Sequence, residues 1–189
     1  MRFLTLTLLF LLLAWPVIVL AESDELNGVY YHYSQDDASY TFRGSFFVEL
    51  TTACLIHVLY DFEHLVKFVT NADSIVLLRQ GENWYEVRYT YRGLLFGNKS
   101  TYRKTLKQEE QKITFEMIAS EQHGPLVPKV LYSTGYYEIK PEKEGCLVEY
   151  FQEARVESKM LNEIYFHLVR KEAVNFLKDL KQYVERSCH

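Results

Sequence analysis

Between Tyr40 and Val156 the chain departs from a two-residue period only once. Residues 40–50 alternate, with Phe42, Phe46, Val48 and Leu50 on one face. Residues 52–70 then switch to helical spacing: Leu55, Val58, Leu59, Phe62, Leu65, Val66 and Val69 recur at three- and four-residue steps. Period two returns in six segments, 74–80, 84–92, 98–107, 112–120, 132–140 and 146–156, separated by Gly-, Asn- and Pro-containing turns. Residues 158–185 form a long amphipathic stretch, striped by Leu161, Tyr165, Val169, Ala173, Phe176, Leu180 and Val184. Strands gathered together with segregated helices give an α+β fold. The expected architecture is a helix-grip: a curved seven-strand antiparallel sheet wrapped on the long C-terminal helix.

One face of each strand is apolar and needs cover, and that face is unusually aromatic. The chain carries 15 Tyr and 12 Phe. Tyr85, Val87, Tyr89 and Tyr91 share a face, as do Ile113, Phe115, Met117 and Ala119. Buried tyrosine brings a hydroxyl that wants a partner, which a sealed core supplies less cheaply than leucine does.

The start of the chain is different in kind. After Met1-Arg2, residues 3–20 run almost entirely apolar, and Val19-Leu20-Ala21 offers small residues at −3 and −1. This reads as a signal peptide cut after Ala21, with an uncleaved anchor as the alternative. Residues 22–39 read as an irregular lead-in and 40–186 as one domain. Secretion or a periplasmic location follows. The net charge is −4, and cleavage removes one basic residue, Arg2. No basic block remains, so nucleic acid is excluded as a partner. Export exposes Cys54, Cys146 and Cys188 to oxidation, and three thiols permit one bridge. If the first strand pairs with the last, all three gather at one end; a bridge that includes Cys188 is expected, with Cys54 the favoured partner.

Motifs of catalysis are absent: no GxSxG, no HExxH and no glycine-rich phosphate loop. His57, Asp61 and His64 share a helix face at spacings that suit two imidazoles and a carboxylate, but the same stretch carries the core stripe and Asp61 suits a helix cap. No metal or cofactor is expected. Glu86, Arg88 and Arg92 share the face of Trp84; they serve acid–base chemistry only if that face looks inward, and its charge marks it as the solvated one. Gly93-Leu94-Leu95-Phe96-Gly97 places Leu94, Leu95 and Phe96 either as a portal lip touching a membrane or folded into the structure.

Val58-Leu59-Tyr60-Asp61-Phe62 followed by Val66-Lys67-Phe68-Val69, then Ser74-Ile75-Val76-Leu77-Leu78 and the closing helix, resemble the START-like, helix-grip (SRPBCC) superfamily, nearest its polyketide cyclase/dehydrase and coenzyme Q-binding START-type branch. The resemblance covers residues 40–185. It implies two short helices where periodicity alone draws one over 52–70. It also implies a cavity between sheet and long helix that takes lipids, quinones or polyketide-like aromatics, with no catalytic residue shared across the family. The candidate cavity residues are Tyr89, Tyr91, Phe115, Met117, Tyr136, Tyr150 and Tyr165. The expected function is therefore an exported monomeric protein that binds a hydrophobic small molecule without turning it over. An aromatase/cyclase-like enzyme and a ligand-free envelope assembly factor are the alternatives.

Overall fold

A computed structural model describes residues 20–92, 97–123, 128–157 and 162–188. Nine antiparallel strands form one sheet: β1 (Leu20–Leu26), β2 (Val29–Gln35), β3 (Ser39–Val48), β4 (Ser74–Gln80), β5 (Trp84–Arg92), β6 (Gly97–Lys107), β7 (Lys112–His123), β8 (Val130–Glu142) and β9 (Gly145–Val156). Their order across the sheet is β1-β2-β3-β9-β8-β7-β6-β5-β4. Two short helices, α1 (Thr52–Tyr60) and α2 (Phe62–Phe68), follow β3, and α3 (Asn162–Ser187) closes the chain.

The sheet has two strands more than the expected seven. Residues 22–39 are not irregular: all but the turn at 36–38 and the tight turn at 27–28 lie in β1, β2 and the start of β3. Asn27 and Gly28 both hold positive φ, 56° and 71°. That backbone matches the right-handed twist of a two-residue hairpin, and Asn-Gly is its strongest sequence signal. β2 then continues onto β3 from Val29↔Phe46 to Gln35↔Tyr40.

The helical stretch is also divided. Asp61 is extended (φ −63°, ψ 135°), and its carboxylate accepts from the backbone N–H of Glu63 (2.7 Å) and His64 (3.4 Å). Its own N–H donates to the His57 carbonyl at 2.9 Å. One residue thus closes α1 and caps α2.

The inner face of the sheet carries Tyr40, Phe42, Phe46 and Val48 from β3, Tyr137 and Ile139 from β8, and Cys146, Val148, Tyr150, Ala154 and Val156 from β9, all buried. α3 lies on it through Phe166, Val174, Leu177, Leu180 and Val184. The expected stripe is therefore turned slightly: Tyr165, Val169, Ala173 and Phe176 are half-buried, whereas Ile164 and Leu168 are exposed. In β7, the register slips where Thr101 faces Ala119 and Tyr102 faces Met117. The bulge at Ile118 moves Ala119 off the face of Met117, where strict alternation had placed it.

Candidate functional site

The inner wall beside α3 is a continuous run of rings. Tyr91 stacks on Tyr89 (6.5 Å between centroids), Tyr89 meets Tyr102 edge-on (5.8 Å), and Tyr102 meets Phe115 (6.3 Å). Phe115 stacks on Tyr150 (5.9 Å), Tyr150 touches Tyr137 (5.2 Å), and Phe176 of α3 closes on Tyr150 (5.7 Å). Cross-strand pairing builds this wall: Val87↔Tyr102 and Tyr102↔Met117 put β5, β6 and β7 side chains of one face side by side. Met117 lies just beyond the paired part of β7 and β8, which runs from Lys112↔Glu138 to Glu116↔Thr134.

The wall is not uniformly sealed. Tyr89, Tyr91, Tyr102 and Tyr165 are only half-buried, yet burial pushes the pKa of each phenol above its ordinary value. Tyr165 of α3 lies close enough to Tyr91 to raise its pKa further, and Tyr102 does the same to Tyr165. These rings are deep in the protein but keep surface that protein atoms do not cover.

Polar groups sit among the rings. The Tyr150 hydroxyl donates to Gln152 Oε1 at 2.9 Å, and Gln152 Nε2 donates to Ser133 Oγ at 3.3 Å. Ser133 also bears on the Tyr102 phenol, offsetting part of the rise that burial gives its pKa. At the α1–α2 end, Lys104 projects from β6 onto the same face, 2% exposed. Its ammonium donates to the Leu59 carbonyl at 3.4 Å and lies 5.4 Å from the Tyr137 ring, 5.9 Å from Tyr85 and 6.0 Å from Phe68. Desolvation brings its pKa down to about 7.

Of the sequence candidates, Tyr89, Tyr91, Phe115, Met117, Tyr150 and Tyr165 come together here. Tyr136 does not. It points to the opposite face, where it packs on Phe151 (5.4 Å) under the Lys112 ammonium (3.9 Å from its ring). An open groove of about 520 Å³ crosses that outer face, lined in part by Tyr30, His32, Arg43, Tyr136 and Phe151. Sequence reasoning missed Tyr102, Lys104, Ser133, Tyr137, Gln152 and Phe176. For Lys104 the signal was its phase: it alternates with Ser100, Tyr102 and Leu106, not with the solvated Arg103.

Glu86 and Arg88 lie on the outer face, away from α3. Glu86 accepts from Arg79 Nε (2.5 Å) and Arg103 Nη2 (2.8 Å), which hold its carboxylate below the usual range. Arg88 faces Thr101 at 3.5 Å. This is a satisfied ion cluster under Trp84, with Arg103 5.1 Å from the indole ring. His57 and His64 pack edge to face at 5.1 Å, His64 Nδ1 is hydrogen-bonded to the Tyr183 hydroxyl (2.7 Å), and Asp61 is spent on the cap. Among the described residues no group of His, Cys, Asp and Glu has a metal-binding arrangement. Leu94, Leu95 and Phe96 lie outside the described residues.

Cys54 and Cys188 form a disulfide, Cα atoms 6.0 Å apart, joining the start of α1 to the end of α3. Cys146 is free and buried, its thiol directed at the Leu50 carbonyl (3.3 Å). The two cysteines expected to bridge are the two that do. Among the described residues no helix is long and apolar enough to cross a membrane.

A sheet laid over a long C-terminal helix, with two short helices at one end, is the helix-grip fold. Solved structures agree in overall shape. A STAR-related lipid transfer protein from Xanthomonas axonopodis matches with a TM-score of 0.62 at 16% identity, over 87% of this chain and 98% of its own. The Zhui aromatase/cyclase from Streptomyces sp. R1128 matches at 0.63 and 11%, over 79% and 93%. Human STARD10 matches at 0.60 and 14%, over 96% and 77%. No family model matches the sequence, and no curated protein does.

Proposed function

We propose that the protein is an exported carrier that holds a hydrophobic small molecule between its sheet and α3 without transforming it. The observation that carries this reading is the set of rings Tyr89, Tyr91, Tyr102 and Tyr165, desolvated yet incompletely covered. A solid core leaves no such surface, whereas an apolar cavity with a few polar tips does. The similarity to a lipid-transfer protein and to an aromatase/cyclase supports a hydrophobic ligand. Carriage rather than turnover is favoured because Tyr150, Gln152 and Ser133 are hydrogen-bonded among themselves, and Glu86, the carboxylate considered for acid–base chemistry, faces away.

Export is favoured by the apolar leader and by the Cys54–Cys188 bridge, a bond that persists in oxidising compartments. A cut after Ala21 leaves Glu22 to Leu26 to pair with β2.

Native mass spectrometry of protein purified from its own envelope tests the reading. One bound lipid, quinone or aromatic, released by mild organic solvent, is the expected result. Repeated purification without any adduct, together with failure to bind apolar probes, overturns it. N-terminal sequencing of the same sample is expected to begin at Glu22.

A further inference from the structure

Lys104 stands out because a charged group has been placed where nothing neutralises it. It is 2% exposed, and among the described residues no carboxylate pairs with it. One N–H reaches the Leu59 carbonyl; the remaining donors meet the rings of Phe68, Tyr85 and Tyr137. That carbonyl is neutral and sits at the end of α1, where the closing Asp61 N–H goes to the His57 carbonyl instead, so the ammonium has an acceptor there but no counter-charge. Beside it, across the β5–β6 pairing, the Tyr85 hydroxyl is buried with no hydrogen-bond partner. Buried ammonium groups are normally paired and buried hydroxyls normally bonded. An ammonium with only a neutral acceptor and ring faces, beside a hydroxyl with no acceptor, leaves one end of the aromatic wall without an acceptor bearing negative charge.

We infer that Lys104 is the head-group site for an acidic amphiphile: an apolar molecule whose single carboxylate, or chemically equivalent acidic oxygen, seats against the Lys104 ammonium. This rests on the carrier reading and makes it narrower. The body of the ligand follows the wall from Phe115 toward Tyr102 and Tyr89, and its anion stops at the α1–α2 end. An anion converts an isolated buried charge into a charge-assisted hydrogen bond, roughly twice as strong as a neutral one. An alcohol or ester of the same body gains much less. Binding of the anion also holds the proton on Lys104. The titrating groups that face Lys104 are the phenols of Tyr85 and Tyr137, both raised by burial, with Asp61 bearing on Tyr85. Neither phenol ionises near neutrality, so a proton taken up there belongs to Lys104.

The experiment is calorimetric titration of the full mature chain with dodecanoate and 2-naphthoate, and with dodecanol and 2-naphthalenemethanol as uncharged counterparts. The acids are expected to bind about tenfold or more tightly than the alcohols. In Lys104→Met that preference is lost while alcohol binding persists. Repeating the titration of unaltered protein at pH 7 in buffers of different ionisation heat should reveal uptake of about half a proton per acid bound, since the group is near its midpoint there. Equal affinity for acid and alcohol, a preference that survives Lys104→Met, or no proton uptake each overturns the head-group assignment and leaves the carrier reading intact. Failure of all four probes overturns the carrier reading, and the assignment with it.

Discussion

Leu177 of α3 rests on Gly44 of β3: a Cβ at position 44 would stand 2.1 Å from Leu177 Cδ1. Gly44 shares the inward face of Phe42 and Phe46, so the missing side chain is what lets the helix come down onto the sheet. Leu177 is fully buried, so an added methyl at position 44 has to displace it within the packed core. Gly44→Ala is therefore expected to cost about 1–3 kcal/mol of stability, as overpacked cores do. Denaturant unfolding of the two proteins measures it. An unchanged midpoint would mean that the helix rides higher than described.

Lys104 makes stability depend on pH with a definite sign. Its folded pKa, about 7, lies below its ordinary value of 10.5. Between those values the unfolded chain binds more protons, so stability rises with pH there, by up to about 1.4 kcal/mol per unit from this group. Below pH 7 the full cost of the buried charge is present. Lys104→Met should accordingly gain more over the unaltered protein at pH 6 than at pH 9, as read by thermal unfolding at both. A gain of equal size at the two pH values would show that Lys104 does not titrate between them.

Removing the bridge with Cys54→Ala and Cys188→Ala together should lower stability by about 2–4 kcal/mol, or roughly 5–15 °C in Tm. The sequence separation of 134 residues makes the constraint on the unfolded chain a long one. Cys146 is expected to resist labelling until the protein unfolds, because its thiol is buried against the Leu50 carbonyl. Scanning calorimetry with thiol labelling tests both halves.

Asp61→Ala removes the acceptor for two backbone N–H groups and should cost about 1 kcal/mol, with Asp61→Asn costing less. Urea titration of both variants provides the check. An effect equal in the two would point to charge rather than capping.

The two faces of the sheet should separate cleanly in binding. Tyr102→Ala is expected to alter the affinity for apolar probes such as 2-naphthalenemethanol, whereas Tyr136→Ala leaves it unchanged. A loss of affinity in the Tyr136 variant alone would move the ligand to the outer groove.

Strand phase was readable wherever a strand carried clearly sorted side chains, as in β5 and β9. It failed where two tyrosines are adjacent. Tyr136 and Tyr137 look equivalent in isolation; only Ile139, in phase with Tyr137 and also buried, marks which of them faces inward. The β1–β2 hairpin escaped because residues 22–39 are polar, although Asn27-Gly28 was a direct signal for a turn. The helix break was hidden for another reason. Asp61 does its work through backbone geometry, and the apolar spacing of Val58, Leu59, Phe62 and Leu65 runs through it undisturbed. Lys104 was concealed by composition: next to Arg103 it looks like half of a basic pair, and only alternation separates a buried amine from a solvated guanidinium.

The Cys54–Cys188 bond has a mechanical consequence. It pins the C-terminal end of α3 to the start of α1, beside the anchored end of β3. At 1.5 Å per residue, the 26 residues of α3 make a lever about 39 Å long. Any motion that widens the space under the helix must pivot on the bonded end, so a swing of about 10° displaces the Asn162 end by ~7 Å while the Cys188 end barely moves. For the carrier proposed above, the opening for a ligand is expected at the unbonded end.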